Sequence, residues 1–133
     1  MVTKEFRKKV HQIFYHYKNL LEIPKYWHIR ITTSDKLKWF AEVTYDYQSK
    51  KFDIVINPKL NQDLEDLKDS ILHELLHILF TPGTSRIELM LQKIQCNEKF
   101  SIKHAKKNLS QYEEAIVAHL AKVIINQEKR IHD

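Results

Sequence analysis

His73-Glu74-Leu75-Leu76-His77 sets two imidazoles four residues apart with a carboxylate between them. On a helix, residues at i and i+4 project from one face, so both rings can reach a single metal ion. The intervening glutamate then lies beside the ion without being a ligand, where a zinc hydrolase needs its general base. The spacing points to metal-assisted hydrolysis with His73 and His77 as ligands and Glu74 as the catalytic base. With 8 His in the chain, the bare pattern would arise in roughly 4% of shuffled sequences, so its surroundings have to add to the case.

They do. Leu64, Leu67, Ile71, Leu72, Leu75, Leu76 and Leu79 recur at helical intervals between Asp63 and Phe80, which predicts a buried helix about 27 Å long. Two histidines and a glutamate inside such a helix lose hydration unless something partners them. Hydrogen bonds within the core are the simpler account; a metal accounts for all three residues together. Thr81-Pro82-Gly83 is expected to end this helix, because proline lacks the N–H that would continue it.

A catalytic zinc takes three protein ligands and keeps a fourth position for water, so one ligand must come from another element. A final helix is predicted from Ser110 to about Lys129, with Ile116, Val117, Leu120, Ala121, Ile124 and Ile125 on its buried face. Glu113 and Glu114 open it, and His104 and His119 are the other candidate donors. Ser110-Gln111-Tyr112-Glu113 reads as a capping box, which gives Glu113 a structural task and leaves Glu114 as the favoured third ligand.

The remaining elements must hold these groups in place. Phe6, Val10, Ile13, Phe14, Tyr17, Leu20 and Leu21 form a helical stripe from Lys4 to Leu21, with Thr3 as N-cap and Pro24 beyond the end. Alternation then predicts strands over Tyr26 to Thr33 and Lys38 to Tyr47. After the polar turn Gln48-Ser49-Lys50 comes a third strand through Phe52, Ile54 and Ile56, ending at Asn57-Pro58. Ile87, Leu91 and Ile94 mark a shorter helix, Ile102 and Leu109 hint at further turns, and Arg130 to Asp133 is expected to fray. The predicted class is α+β, a small mixed sheet of about three strands against an N-terminal, a metal-binding and a C-terminal helix.

At 133 residues, 43% hydrophobic and 29% charged, the chain suits one domain with a packed core. It has no apolar run long enough to span a bilayer, and residues from Met1 to Lys9 are charged rather than signal-like, so a soluble cytoplasmic protein is expected. Cys96 is the sole cysteine, which excludes an internal disulfide and a cysteine-based zinc finger. A net charge of +5 would suit a nucleic acid, but the basic residues are scattered along helical faces, and nucleic-acid binding is disfavoured.

HELLH on one helix followed by a glutamate on a later one resembles the gluzincin metallopeptidases. Glu114-Ala115-Ile116-Val117-Ala118-His119-Leu120-Ala121 is similar to their third-ligand helix, with an alanine seven positions after the glutamate. The order of elements looks like that of the minigluzincins, minimal versions of the catalytic domains of integral-membrane metallopeptidases. The match covers most of the chain in element order, but only the HELLH and glutamate segments residue by residue. It implies a zincin-like fold, one zinc held by His73, His77 and Glu114, and a peptide or protein substrate laid along an exposed sheet edge. If the third strand is central, that edge is Trp39 to Tyr47. Many gluzincins orient a ligand histidine from four positions after the ligand glutamate; here that position is Ala118, so a partner such as Asp69 or a backbone carbonyl is needed. Tyr112, His104 and His119 are candidates for stabilising an oxyanion. No third histidine follows at metzincin spacing.

Two other functional readings fit the same residues. One is a SprT-like, DNA-associated protease with His104 as third ligand; the other is a metal-stabilised scaffold that binds proteins and cleaves none. Latency through dimer contacts in a homo-oligomer, or through the basic C-terminal tail acting as a plug, is compatible with the peptidase reading.

Overall fold

The computed structural model describes the backbone of residues 2–93 and 99–132 and the side chains of residues 2–83 and 107–131. Three helices and a three-stranded mixed sheet follow the order α1 (Lys4–Leu20), β1 (His28–Thr33), β2 (Ala41–Asp46), β3 (Lys51–Ile56), α2 (Leu64–Lys93) and α3 (Lys99–His132). The class is α+β, as the change of hydrophobic period predicts.

Thr3 caps α1, its hydroxyl accepting from the Phe6 N–H at 3.1 Å. Val10, Ile13, Phe14 and Tyr17 form its buried stripe. The helix closes with a reversal at Glu22, φ 52°, where Glu22 and Ile23 donate to the Asn19 and Lys18 carbonyls. A glycine favours this left-handed position, but the only glycine of the chain stands elsewhere.

β3 is the central strand, parallel to β1 and antiparallel to β2. Its alternation is clean: Phe52, Ile54 and Ile56 are buried against the helices. On the other face Asp53 pairs with Arg30 of β1 at 2.8 Å. β2 is therefore an edge strand. Its observed span is narrower than the predicted one, and Trp39 and Phe40 lie in the connection that leads into it.

The two long helices depart from expectation. α2 does not stop at Thr81: it runs on to Lys93 with Pro82 in its interior. Proline cannot donate to the Ile78 carbonyl four residues back. The Tyr47 hydroxyl donates to that oxygen instead, at 3.2 Å, so a side chain from the end of the sheet replaces the lost helical bond. α3 likewise begins at Lys99 rather than at Ser110, which makes Ser110 an interior helix residue and overturns the capping box. The helix also continues through Arg130 to His132, so the tail is helical where fraying was expected. Ile94 and Cys96 lie outside the described residues.

The core joins α1, the inner face of the sheet, and α2 with α3. Leu67, Ile71, Leu72, Leu75, Leu76 and Ile78 of α2 meet Val117, Ala121 and Ile125 of α3. Leu64, expected in the stripe, is exposed at the start of α2. Asp63 caps that start, its carboxylate accepting from Glu65 N–H and its carbonyl from Leu67 N–H. Among the described residues no helix is long and apolar enough to cross a membrane.

Candidate metal centre

The apolar contacts between α2 and α3 decide what happens along their polar flank. With Leu72, Leu75, Leu76 and Ile78 facing the core, His73 and His77 are left half-buried and one above the other on the same face of α2. Their Nε2 atoms are 3.2 Å apart. Glu114 of α3 bridges them, Oε1 lying 2.7 Å from His73 Nε2 and Oε2 2.9 Å from His77 Nε2. Ligand atoms of these three residues all fall within 4.8 Å of one another, a group that could hold a metal ion.

The donor set fits an ion in two respects. Two nitrogens bound tetrahedrally at 2.0–2.1 Å stand about 3.3 Å apart, close to the separation found here. Three carboxylates, Glu74, Glu113 and Glu114, are also gathered around two imidazoles, and among the described residues no lysine or arginine lines the cleft that Glu74 and Glu114 face. Such a concentration of oxygen and nitrogen donors is what a divalent cation satisfies.

Glu113 is the residue that sequence reasoning misplaced. Its carboxylate Oε2 lies 2.8 Å from His77 Nδ1 and accepts from the Thr81 hydroxyl at 3.1 Å. A proton on Nδ1 donated to Glu113 leaves the Nε2 lone pair directed at the cleft, which fixes both ring orientation and tautomer. With Ala118 at the position where gluzincins often carry this partner, Asp69 or a backbone carbonyl is the expected substitute; the carboxylate beside His77 comes instead from the residue before Glu114. Thr81, itself buried, carries one legible signal: it falls four positions after His77, on the same helical face.

Glu74 is 7% exposed, and among the described residues nothing hydrogen-bonds to its carboxylate. Burial pushes its pKa up to about 7; neighbouring His77 pulls it down, while Glu114 and Glu42 add to the rise. It faces the same cleft, of about 410 Å³.

The opposite wall of that cleft comes from Trp39, Phe40 and Ala41. Their segment is pinned rather than loose. The Phe40 carbonyl accepts from Asn57 N–H at 2.9 Å and from Asn61 Nδ2 at 2.8 Å, and Leu37 O accepts from Asn57 Nδ2 at 2.7 Å. Ser70 of α2 donates to Asn61 Oδ1 at 2.6 Å, locking this segment to the helix that carries the histidines.

Other expected participants are not brought in. Tyr112 and His119 are exposed on α3 and do not line the cleft. The side chain of His104 lies outside the described residues. Asp69 does line the cleft but does not orient a histidine; Glu113 has that position.

No protein-family model, curated protein or solved structure matches this chain. The functional reading therefore stands on geometry and on the motif.

Proposed function

We propose that this protein is a zinc-dependent peptidase of gluzincin type, with a zincin-like fold whose layout resembles the minigluzincins. The observation that carries the reading is the meeting of His73 and His77 with Glu114 from a second helix, beside a buried, proton-accepting Glu74. His73, His77 and Glu114 would hold one zinc ion. When bound, the ion supplies Lewis-acid polarisation of a peptide carbonyl and lowers the pKa of water at its open position to about 7.

The remaining steps belong to the chain. Glu113 holds His77 in the ligand tautomer. The pinned 39–41 segment and the free edge of β2 accept an extended peptide by main-chain hydrogen bonds. Glu74 takes a proton from the attacking water as its oxygen joins the carbonyl carbon. It then delivers that proton to the amine nitrogen as the C–N bond breaks. Its raised pKa suits both halves of this exchange near neutral pH.

Purified protein supplied with zinc should bind about one ion per chain and cleave unfolded polypeptide. Glu74→Gln should keep the ion and lose cleavage. A wild-type protein that takes up no zinc, or a Glu74→Gln variant that still cleaves, would defeat this assignment.

A further inference from the structure

The protein carries a formal charge of +5 and 22 lysines and arginines, yet among the described residues no lysine or arginine lines the cleft. The stripe of α2 that bears the histidines extends backward through Ser70 and Asp69 to Asp66, and both aspartates face the cleft. Among the described residues neither has a lysine or arginine partner, although surface carboxylates elsewhere do: Arg30 meets Asp53, and Lys129 meets Glu65. Glu74, nine-tenths buried and without a hydrogen-bond partner among the described residues, is aimed into the same space. Across from the aspartates stand two large exposed aromatic side chains, Trp39 at 58% and Phe40 at 48%. Carboxylates without a basic partner that share a cleft with aromatic side chains, and with no cation among its described lining residues, suit a cationic side chain with an aliphatic stem.

The spacing gives this subsite a position. Asp69 and Asp66 precede His73 by four and seven residues, about 6 and 10 Å along the helix axis. An extended peptide advances about 3.3 Å per residue. We propose that the cleft selects peptides carrying a lysine or arginine two or three residues from the bond presented to the metal group. Asp66 and Asp69 receive the charge, and Trp39 covers the stem. The proposal rests on the peptidase reading for the location of the scissile bond, but its test does not depend on cleavage.

The test uses the full-length, zinc-loaded Glu74→Gln protein and two fluorescent alanine-rich decapeptides that differ at one position, lysine in one and norleucine in the other. Anisotropy should show the lysine peptide binding about tenfold more tightly, with the advantage shrinking as salt is raised. Asp66→Asn with Asp69→Asn should bring the two affinities together while the norleucine peptide binds as before. Equal affinities in the parent protein, or a lysine preference that survives the double substitution, would overturn the proposal. Should the preference hold while the wild-type enzyme cleaves neither peptide nor any unfolded polypeptide, the peptidase reading fails and the cationic subsite stands.

Discussion

Two carboxylate–histidine clusters lie along α3, one near its C-terminal end and one near its middle, and they differ in what they leave open. Near the C-terminal end, Glu128 of α3 meets His16 Nε2 at 2.6 Å and accepts from the Tyr17 hydroxyl at 2.7 Å. Burial pushes the Glu128 pKa up, but the hydrogen bonds from Tyr17 and His16 outweigh it and hold the group below its ordinary value. This carboxylate is saturated: it clamps α1 onto α3 and lies next to the Lys129–Glu65 pair. Near the middle of α3, two carboxylates meet two imidazoles whose nitrogens converge, and a third carboxyl is buried beside them with no hydrogen bond from the described residues. A histidine touching a glutamate is thus an ordinary interhelical fastener. Convergent nitrogens beside a largely buried acid of raised pKa in an open cleft are what distinguish a site.

Replacing His73 by alanine tests this distinction most strongly. Zinc binding measured by calorimetry should be abolished, while His16→Ala should leave the affinity within about twofold. Loss of zinc in the His16 variant would mean that the two clusters are not separate.

The next effect concerns Glu74. Its folded pKa, about 7 against an ordinary 4.5, lies above the unfolded value. The folded state therefore holds the proton more tightly, and stability falls as the pH rises from about 4.5 through 7. In metal-free protein Glu74→Gln should remove that fall, being more stable than wild type by about 3 kcal/mol at pH 8 and equal to it near pH 4. Urea denaturation across that range would show it; parallel pH profiles would remove the burial argument.

Glu113→Ala should weaken zinc binding ten- to a hundredfold without abolishing it, since the ligands remain but His77 loses its orienting partner. Competition with a chelator gives the value, and an unchanged affinity would return Glu113 to a purely structural role.

At the clamp, Glu128→Ala strands the buried Tyr17 hydroxyl, and a loss of about 2 kcal/mol is expected in urea with zinc affinity unaltered. The sign with pH is opposite to that of Glu74. A carboxyl held below its ordinary pKa contributes stability above that value, so the difference between Glu128→Ala and wild type should fade on acidification.

The smallest effect separates the two readings of Ser110. As an N-cap its replacement by alanine would lose about 1 kcal/mol, whereas within a continuous helix the same change gains about 0.5 kcal/mol. A stability increase in Ser110→Ala is the expected result.

Much of the molecule can be read along the chain because it depends on local spacing. The period of Leu67, Ile71, Leu75 and Ile78 buries one face of α2 and so sets His73 and His77 side by side wherever that helix forms. The alternation of Phe52, Ile54 and Ile56 likewise dictates a strand with one inner face. Helix ends were less legible, because Pro82 and Ser110 are local signals that tertiary contacts override. The hydroxyl that replaces the missing bond at Pro82 comes from Tyr47, just past β2 and thirty-one residues before the Ile78 carbonyl that it meets. The role of Glu113 was hidden for the same reason. Adjacent glutamates on a helix point about 100° apart, and only the crossing of α3 over α2 decides which one faces the cleft and which lies behind His77. Residue spacing by itself specified the donors and the acid between them. Packing assigned the third donor, the orienting carboxylate and the aromatic wall, since those relations join residues that touch only after the chain has folded.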